Sequence, residues 1–522
     1  MWPETFYKNV KKTIKGDKNM IQNKMFELVF QGEKPDGSEA LTDIKAVFTN
    51  GNSSQSVKGF YDGNGTYKVR FLPREAGVYS WKVTGAVEAE GQEECTTSTQ
   101  HGMVHTQDVH FIYENGDSYI PFGTTVYALI HQDDALEKET LQTLQTSPFN
   151  KIRFCVFPKS YEFNENEPQE FAFCKDADGN WDVNHPNYKF WNHLDEVISQ
   201  LQEMDIESDL ILFHPYDRWG FSKLTPEQNE TYLRYLVRRL SAFPGVWWSM
   251  ANEYDLCFAK SKEEWYKIEE IIKEEDVYGH LLSNHYCMKP YDYSRENMTH
   301  CSLQNVLFHK ADKLMRKYQK PIVFDEFCYE GDIHYSWGNI SPQEMTHRFW
   351  CAYCIGAFAT HGETYLSDDD VLWWAKGGKL KGKSPERIAF LRKLIESLPS
   401  AIEPWYEPET MTYGEKFLGF KAGPNHPIIS LVTSITESED DAGALKDKIF
   451  SGRCGDQVYI KYLGKHCPRK PFFILPEDHK YKIDVIDTWN MTRKTLMTGA
   501  SGITWLDLGE AKEGVALLAV EE

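Results

Sequence analysis

The pattern of hydrophobic and polar positions changes twice along the chain and divides it into three regions. The first region covers residues 1–108. Short runs such as KMFELVFQG (24–32) and TYKVRFLP (66–73) alternate apolar with polar positions between turn residues. Alternation with a period of two indicates half-buried strands, and the DGNG turn at 62–65 favours a tight hairpin. The pattern therefore predicts an N-terminal immunoglobulin-like β-sandwich in this region.

The second region, residues 109–405, alternates apolar strand-like runs with longer amphipathic segments. The runs NKIRFCVFP (150–158) and ESDLILFHPYD (207–217) flank the helical pattern NHLDEVISQLQEMD (192–205). Eight such β units, with helices between most of them, predict an α/β fold of the (β/α)8 TIM-barrel type. A doubly wound open sheet is the alternative, but the first turn, PFGTTVY (121–127), lacks the glycine-rich pattern of that fold.

The third region, residues 406–522, returns to short strands and is predicted to be a second all-β sandwich. An acidic segment at 436–448, TESEDDAGALKDK, is predicted to be a solvated loop. The strand-like runs are KFLGFKAG (416–423), PIISLVTS (427–434), QVYIKYLG (457–464), KYKIDVIDTWNMT (480–492) and GVALLAVEE (514–522).

Composition narrows the function classes. The net charge is −21, from 57 basic and 78 acidic residues, which disfavours nucleic acid and anionic membranes as partners. The sequence begins without a basic-then-apolar leader and has no apolar run near eighteen residues, so we expect a cytoplasmic protein outside the membrane. Cys351 and Cys354 have no histidine partners at zinc spacing. We expect no metal and no cofactor.

Two apolar runs of the barrel region end abruptly in carboxylates. GVWWSMANEYD (245–255) carries Glu253 at the end of predicted strand four, and KPIVFDEFCYEG (320–331) carries Glu326 at the end of strand seven. Active sites of such barrels lie at the carboxyl ends of the strands. Two carboxylates at one rim suit glycoside hydrolysis, in which one group holds a proton and the other is ionised. Solvated loop acids are the alternative interpretation.

These two runs resemble sequences of the retaining clan A glycoside hydrolases. SMANEYD (249–255) resembles the Asn-Glu end of their strand four, and VFDEFCYEG (323–331) is similar to their strand-seven glutamate motif, although Asp325 stands where glycine is frequent. The resemblance implies Glu253 as general acid/base and Glu326 as nucleophile. It also implies that Asn252 hydrogen-bonds the sugar 2-hydroxyl.

The order of the three regions resembles bacterial apiosidase-like and cellulase-like proteins, which carry an N-terminal immunoglobulin-like domain, a barrel and a C-terminal sandwich. The motifs that carry this likeness are GFYDGNGTYKVRFLP (59–73), FGTTVYA (122–128) and DVIDTWNMT (484–492). The likeness predicts the architecture better than the substrate.

Further residues are candidates for substrate binding, each with a structural alternative. Arg153 on strand two could keep the nucleophile ionised by its positive charge, or form a salt bridge in the barrel floor. His214 and Asp217 in HPYD could bind sugar hydroxyls, or cap a loop. His285 and Tyr286 end predicted strand five, and the sequence leaves open which of them faces inward.

The remaining candidates lie on strand six and on the last loops. Gln304 could line strand six, and aromatic side chains of the late loops could form a platform under the sugar. Asp368–Asp370 lack the spacing of a calcium loop, so a solvated or sugar-binding loop is favoured. The late-loop candidates are Trp337, Glu363, Trp373 and Trp374.

The sequence thus predicts a retaining, exo-acting glycosidase for small glycosides or oligosaccharides, with a pocket closed by the segments 158–186 and 328–342. Two rivals stay open at this point. One is a non-catalytic carbohydrate-binding protein on a barrel scaffold, and the other is a metal-dependent barrel hydrolase. The sugar, the anomeric configuration and the oligomeric state, including a homo-oligomer, are also open.

Overall fold

The structure is a computed structural model, and it describes residues 19–405, 426–427 and 449–522. The predicted strand at 416–423, most of the one at 427–434 and the acidic loop at 436–448 lie outside the described residues. The chain divides into two compact units, Met1–Gln304 with Thr360–Leu380, and Asn305–Ala359 with Lys381–Glu522.

The N-terminal region is a β-sandwich with one small extra sheet. Its main sheets have the strand orders β1-β8-β7-β3-β4 and β2-β6-β5, and β9 to β11 form the third. The strands are β1 (Met20–Ile21), β2 (Phe26–Gln31), β3 (Ile44–Asn50), β4 (Ser53–Lys58), β5 (Phe60–Tyr61), β6 (Thr66–Phe71), β7 (Gly77–Gly85), β8 (Ala89–Thr96), β9 (Val104–Gln107), β10 (His110–Tyr113) and β11 (Ser118–Tyr119).

Alternate residues of the two main sheets build one core, as the period-two pattern predicted. In β3 the side chains of Ile44, Ala46 and Phe48 are buried, while the lysine at 45 and the valine at 47 between them are exposed. Phe48 stacks on Phe71 of β6 at 4.0 Å between ring centroids. The core is therefore made by pairing the apolar faces of both sheets.

The barrel region contains eight parallel strands and their connecting helices. The barrel strands are β12 (Phe122–Thr125), β13 (Lys151–Cys155), β16 (Glu207–Phe213), β17 (Val246–Ala251), β18 (Leu282–Ser283), β19 (Cys301–Gln304), β20 (Ile322–Glu326) and β22 (Phe358–His361). The other short strands of this region are β14 (Phe173–Lys175), β15 (Trp181–Pro186), β21 (Glu330–Gly331) and β23 (Glu363–Thr364).

The strand order β18-β17-β16-β13-β12-β22-β20-β19 describes a nearly closed barrel, and it confirms the predicted (β/α)8 class. The central strands β16 and β17 are buried on both faces, and apolar residues fill most of their positions, although β16 begins with Glu207, Ser208 and Asp209. The helices are α1 (Asp134–Thr146), α2 (Tyr188–Glu203), α3 (Pro226–Leu240), α4 (Lys262–Glu275), α5 (Ala311–Tyr318), α6 (Pro342–Tyr353), α7 (Trp373–Lys376) and α8 (Ser384–Glu396). Among the described residues, none of the helices combines the length and the apolar character that a bilayer span requires.

A buried ion network joins the N-terminal sandwich to the barrel helices α2 and α3. Asp195 accepts hydrogen bonds from Arg70 of β6 at 2.5 and 3.0 Å and from Arg239 at 2.7 Å. Arg239 also contacts Asp62 at 2.7 Å. Burial acts to raise the pKa of Asp195, but the charges of Arg239 and Arg70 hold that pKa below its ordinary value.

The C-terminal region is also rich in β-strands. Its larger sheet has the order β24-β25-β26-β31-β28-β29, and β27 pairs with β30. Trp405, Tyr459, Phe473 and Leu517 belong to one core within it. The strands are β24 (Glu403–Pro404), β25 (Phe450–Cys454), β26 (Val458–Tyr462), β27 (Phe472–Ile474), β28 (Tyr481–Asp487), β29 (Thr492–Ala500), β30 (Ile503–Trp505) and β31 (Val515–Glu521).

Candidate active site

The end of β17 turns sharply at Glu253. The backbone of this residue lies in the left-handed region, with φ 51° and ψ 57°, and a 3-10 turn follows at Tyr254–Leu256. The backbone of a residue other than glycine is strained in this region, and such strain is common at functional sites. Neighbouring strand ends hold the geometry, because Asn252 N–H donates to the Phe213 carbonyl at 2.9 Å and Glu253 N–H donates to His285 Nδ1 at 3.2 Å.

The Glu253 carboxylate is buried and held from one side. Tyr216 donates its hydroxyl proton to Oε2, and the Asn252 amide donates to the same oxygen at 3.3 Å. The Asn252 carbonyl oxygen in turn accepts from the Tyr127 hydroxyl at 3.0 Å. Among the residues that the structure describes, both bonds to the carboxylate end on Oε2, which leaves Oε1 for a ligand.

His285 lies directly against the turn at Glu253. Its Nδ1 accepts the Glu253 N–H, so the proton of the neutral ring is on Nε2, which makes that nitrogen a donor. The His285 carbonyl also accepts the Tyr254 N–H at 2.9 Å. Tyr286 is buried beside it, with the ring centroids 6.5 Å apart. His285 is thus the member of the pair that the structure brings to Glu253.

A buried lysine, Lys159, lies among aromatic rings next to these groups. Its ammonium is 3.4 Å from the ring centroid of Tyr127, 4.4 Å from that of Tyr216, 4.9 Å from that of Trp374 and 5.7 Å from that of Tyr161. A cation within about 6 Å of a ring face is attracted by the ring quadrupole. The sequence analysis assigned no role to Lys159, Tyr127, Tyr161 or Tyr216.

His214 and Asp217, both predicted to bind sugar, support the loop after β16. His214 donates from Nε2 to the Phe157 carbonyl at 3.0 Å, and burial lowers its pKa to about 4, so the ring is neutral at pH 7. The Asp217 carboxylate accepts the backbone N–H groups of Trp219, Gly220 and Ser222 at 2.6–3.0 Å. The structure therefore gives both side chains contacts within the loop, and their role in sugar binding stays a prediction.

Two neighbouring tryptophans of the last loop reach the barrel strands. Trp373 is buried and donates from its indole nitrogen to the Thr124 hydroxyl at 2.8 Å. Trp374 packs edge-to-face on Tyr127, with ring centroids 5.5 Å apart. Glu363 is buried, whereas Asp368–Asp370 are exposed. Trp374 is thus the candidate from this loop that the structure brings to the surroundings of Glu253.

Arg153 and Gln304 lie on the strands where the sequence analysis placed them. Arg153 is fully buried on β13, with Nε 3.4 Å from Asp209 Oδ2, and Lys151 Nζ lies 2.8 Å from the same oxygen. Gln304 is half-buried at the end of β19. An ion pair in the barrel floor, the structural alternative for Arg153, is therefore present.

Glu326 and Trp337 belong to the second unit, in which β20 ends at Glu326. Glu326 is buried, and its backbone carbonyl accepts the Asn305 N–H at 3.0 Å. Trp337 is half-buried and stacks on Tyr335, with centroids 5.5 Å apart. Tyr329 N–H donates to the Trp337 carbonyl at 2.7 Å, so Trp337 is fixed on the segment that follows β20.

Comparison with known proteins relates this arrangement to a family. The family profile described as "Apiosidase-like, catalytic domain" matches residues 105–407. Two profiles for domains of unknown function, DUF5060 and DUF5605, match residues 21–86 and 447–517. No curated protein matches the chain.

Solved structures resemble the chain over most of its length. A putative glycoside hydrolase from Bacteroides vulgatus is 31% identical, with a TM-score of 0.82, and the match covers 97% of this chain and 100% of the other. A family 5 glycoside hydrolase from the same organism is 14% identical, with a TM-score of 0.58, covering 80% of this chain and 93% of the other. The second likeness supports the fold alone.

Proposed function

The chain belongs to the family of glycoside hydrolases with an apiosidase-like catalytic domain, and from this premise we propose that it is a retaining glycosidase in which Glu253 is the general acid/base and Glu326 the nucleophile. Glu253 follows the fourth barrel strand, and Glu326 ends the seventh. Parallel strands present their carboxyl ends at one rim of a barrel. The proposal is that both carboxyl groups face the anomeric carbon of one bound sugar.

The observation that carries this proposal is the environment of Glu253. A strained backbone, one donor bond from Tyr216 and one from Asn252 fix the carboxyl group, and both bonds end on Oε2. A general acid needs a fixed direction toward the leaving oxygen, because proton transfer depends on hydrogen-bond geometry. The other carboxyl oxygen, Oε1, is the one that we assign to this transfer.

The proposed reaction has two displacements. The Glu326 carboxylate forms a bond to C1 while the bond from C1 to the leaving oxygen breaks, and the Glu253 proton goes to that oxygen. Glu253, now ionised, then takes a proton from water. The resulting hydroxide attacks C1, and the ester bond to Glu326 breaks. The sugar leaves with its original anomeric configuration.

An exo-acting pocket is supported by the segment 158–186. Ser160 N–H donates to the Tyr216 carbonyl at 2.9 Å, and the Trp181 indole donates to the Trp219 carbonyl at 2.7 Å. Glu167 binds the Arg218 guanidinium at 2.8 Å. An insertion anchored in this way to the loop after β16 makes a fixed wall beside Glu253. We propose that this wall limits the substrate to terminal sugar residues of small glycosides.

The test is a panel of aryl glycosides whose sugars are apiose, arabinose, xylose, rhamnose, glucose and galactose, with proton NMR of the first product formed. The apioside leads the panel because the family description names that sugar. We expect hydrolysis of at least one member with retention, abolished in Glu326→Ala. Sugar binding without hydrolysis of any member, or a product of inverted configuration, would refute the proposal.

A further inference from the structure

The ring cage around Lys159 connects to both side chains that define the proposed acid/base site. Of the rings that surround its ammonium, Tyr127 donates its hydroxyl to Asn252 and Tyr216 donates its hydroxyl to Glu253. The ammonium lies closest to these two rings, at 3.4 and 4.4 Å from their centroids. The Lys159 ammonium therefore contacts the rings of both tyrosines that donate hydrogen bonds to Asn252 and Glu253.

The surrounding segment fixes the lysine in this position. Its carbonyl accepts the Asn164 side-chain amide at 2.7 Å, and Gln132 donates to the other end of Asn164 at 3.0 Å. The next residue, Ser160, donates its N–H to the Tyr216 carbonyl. Lys159 itself is only 4% exposed. A long, flexible side chain loses conformational entropy when it is fixed in this way, and the contacts of the ammonium with the rings offset that loss.

We infer that Lys159 is a positioning residue that acts on Glu253 through Tyr216. A positive charge over the ring strengthens the phenol as a hydrogen-bond donor, because it stabilises the negative charge that the oxygen gains when it donates. A stronger donor holds the carboxyl group that accepts the bond more firmly in one orientation, and proton transfer depends on that orientation. This inference rests on the proposed function, in which Glu253 takes a proton from water in the second displacement.

The inference predicts a kinetic signature that a packing role would not produce. With a 2,4-dinitrophenyl glycoside, the first displacement needs no proton, and the second limits the turnover. Lys159→Met should therefore lower kcat and KM together by about tenfold, which corresponds to about 1.4 kcal/mol, and leave kcat/KM nearly unchanged. Azide, which attacks the glycosyl-enzyme without base assistance, should restore kcat. A loss of kcat/KM that azide does not restore would overturn the inference.

Three variants complete the test. Lys159→Arg keeps the charge and should retain most of kcat, while Lys159→Met/Tyr216→Phe should lose no more than the larger single loss, because the two residues act in series. Additive losses would contradict action through Tyr216. The matched control is Lys260→Met, another buried lysine, which lies 4.7 Å from the Phe213 ring centroid and donates to Asn229 instead. It should keep kcat within about twofold.

Glu253→Ala, measured in parallel, separates the two proposals. If azide restores kcat of Glu253→Ala but Lys159→Met behaves like wild type, the positioning role is wrong and the proposed function stands. If azide restores neither variant and Glu253→Ala loses as much activity on the dinitrophenyl glycoside as on an alkyl glycoside, the assignment of Glu253 fails, and the inference fails with it.

Discussion

Replacing Glu207 by glutamine should change how the stability of the protein depends on pH. Glu207 starts β16 at the amino end of the barrel and is only 7% exposed, and its Oε2 accepts the Trp247 indole N–H at 2.9 Å. Burial, with a smaller contribution from the charge of Asp205, raises its pKa from 4.5 to about 8. The carboxyl group is therefore protonated in the folded protein at pH values where the unfolded chain has it ionised.

The sign and size of the effect follow from proton linkage. Between about pH 4.5 and pH 8, the folded state holds one proton more than the unfolded state, so this group makes the protein less stable as the pH rises. The slope is about 1.4 kcal/mol per pH unit, which gives about 4 kcal/mol between pH 5 and pH 8. For a domain of this size, the corresponding change in Tm is on the order of 8 °C.

Thermal unfolding of both proteins at several pH values measures this contribution. Glutamine keeps an oxygen for the Trp247 indole but has no proton to lose, so Glu207→Gln should gain stability relative to wild type steadily from pH 5 to pH 8. Asp205→Asn, which removes the exposed neighbouring charge, is the matched control and should show a much smaller trend. A difference in Tm between Glu207→Gln and wild type that is the same at every pH would refute the reasoning.

Two further predictions concern the buried ion network around Asp195 and the bond from Tyr216 to Glu253. Asp195→Ala should cost about 3–5 kcal/mol of unfolding free energy, because it leaves two buried arginines without their shared partner. Glu196→Ala, an exposed position on the same helix, should stay within about 0.5 kcal/mol in the same thermal or denaturant assay, and equal losses would contradict the role of the network. Tyr216→Phe should lower kcat/KM about 10- to 100-fold for an alkyl glycoside and much less for a dinitrophenyl glycoside. Equal losses on both substrates would count against its bond to Glu253.

The barrel could be predicted from sequence because its strands are buried on both faces. Runs such as those of β16 and β17 are mostly apolar, and each ends at a cluster of polar residues. The N-terminal sandwich could also be predicted, because strands such as β3 and β7 have one solvated face, so the period of two is visible in the sequence. The carboxylates that follow two of the strands predict which strand ends carry chemistry, and that assignment stays a prediction.

The surroundings of Glu253 could not be predicted, because they depend on contacts between distant parts of the chain. Lys159 and Tyr216 lie on separate loops, which are brought together by the register of β13 with β16 and by the hydrogen bond from Ser160 N–H to the Tyr216 carbonyl. His214 illustrates the same limit: the sequence does not reveal that its ring donates to the Phe157 carbonyl, and its role in sugar binding stays a prediction. The one sequence signal that pointed to this site was a charged residue, Lys159, in a segment rich in aromatic residues.

The configuration of the glycosyl azide made by two variants tests the central claim most directly. Incubating Glu253→Ala and Glu326→Ala with azide and a dinitrophenyl glycoside gives products whose anomeric form proton NMR reads. The account predicts an azide of retained configuration from Glu253→Ala, since azide replaces water in the second displacement. It predicts an azide of inverted configuration from Glu326→Ala, since azide then takes the place of the missing nucleophile. Glycosyl azides of the same configuration from both variants would contradict the account. Hydrolysis at the wild-type rate by either variant would also contradict it.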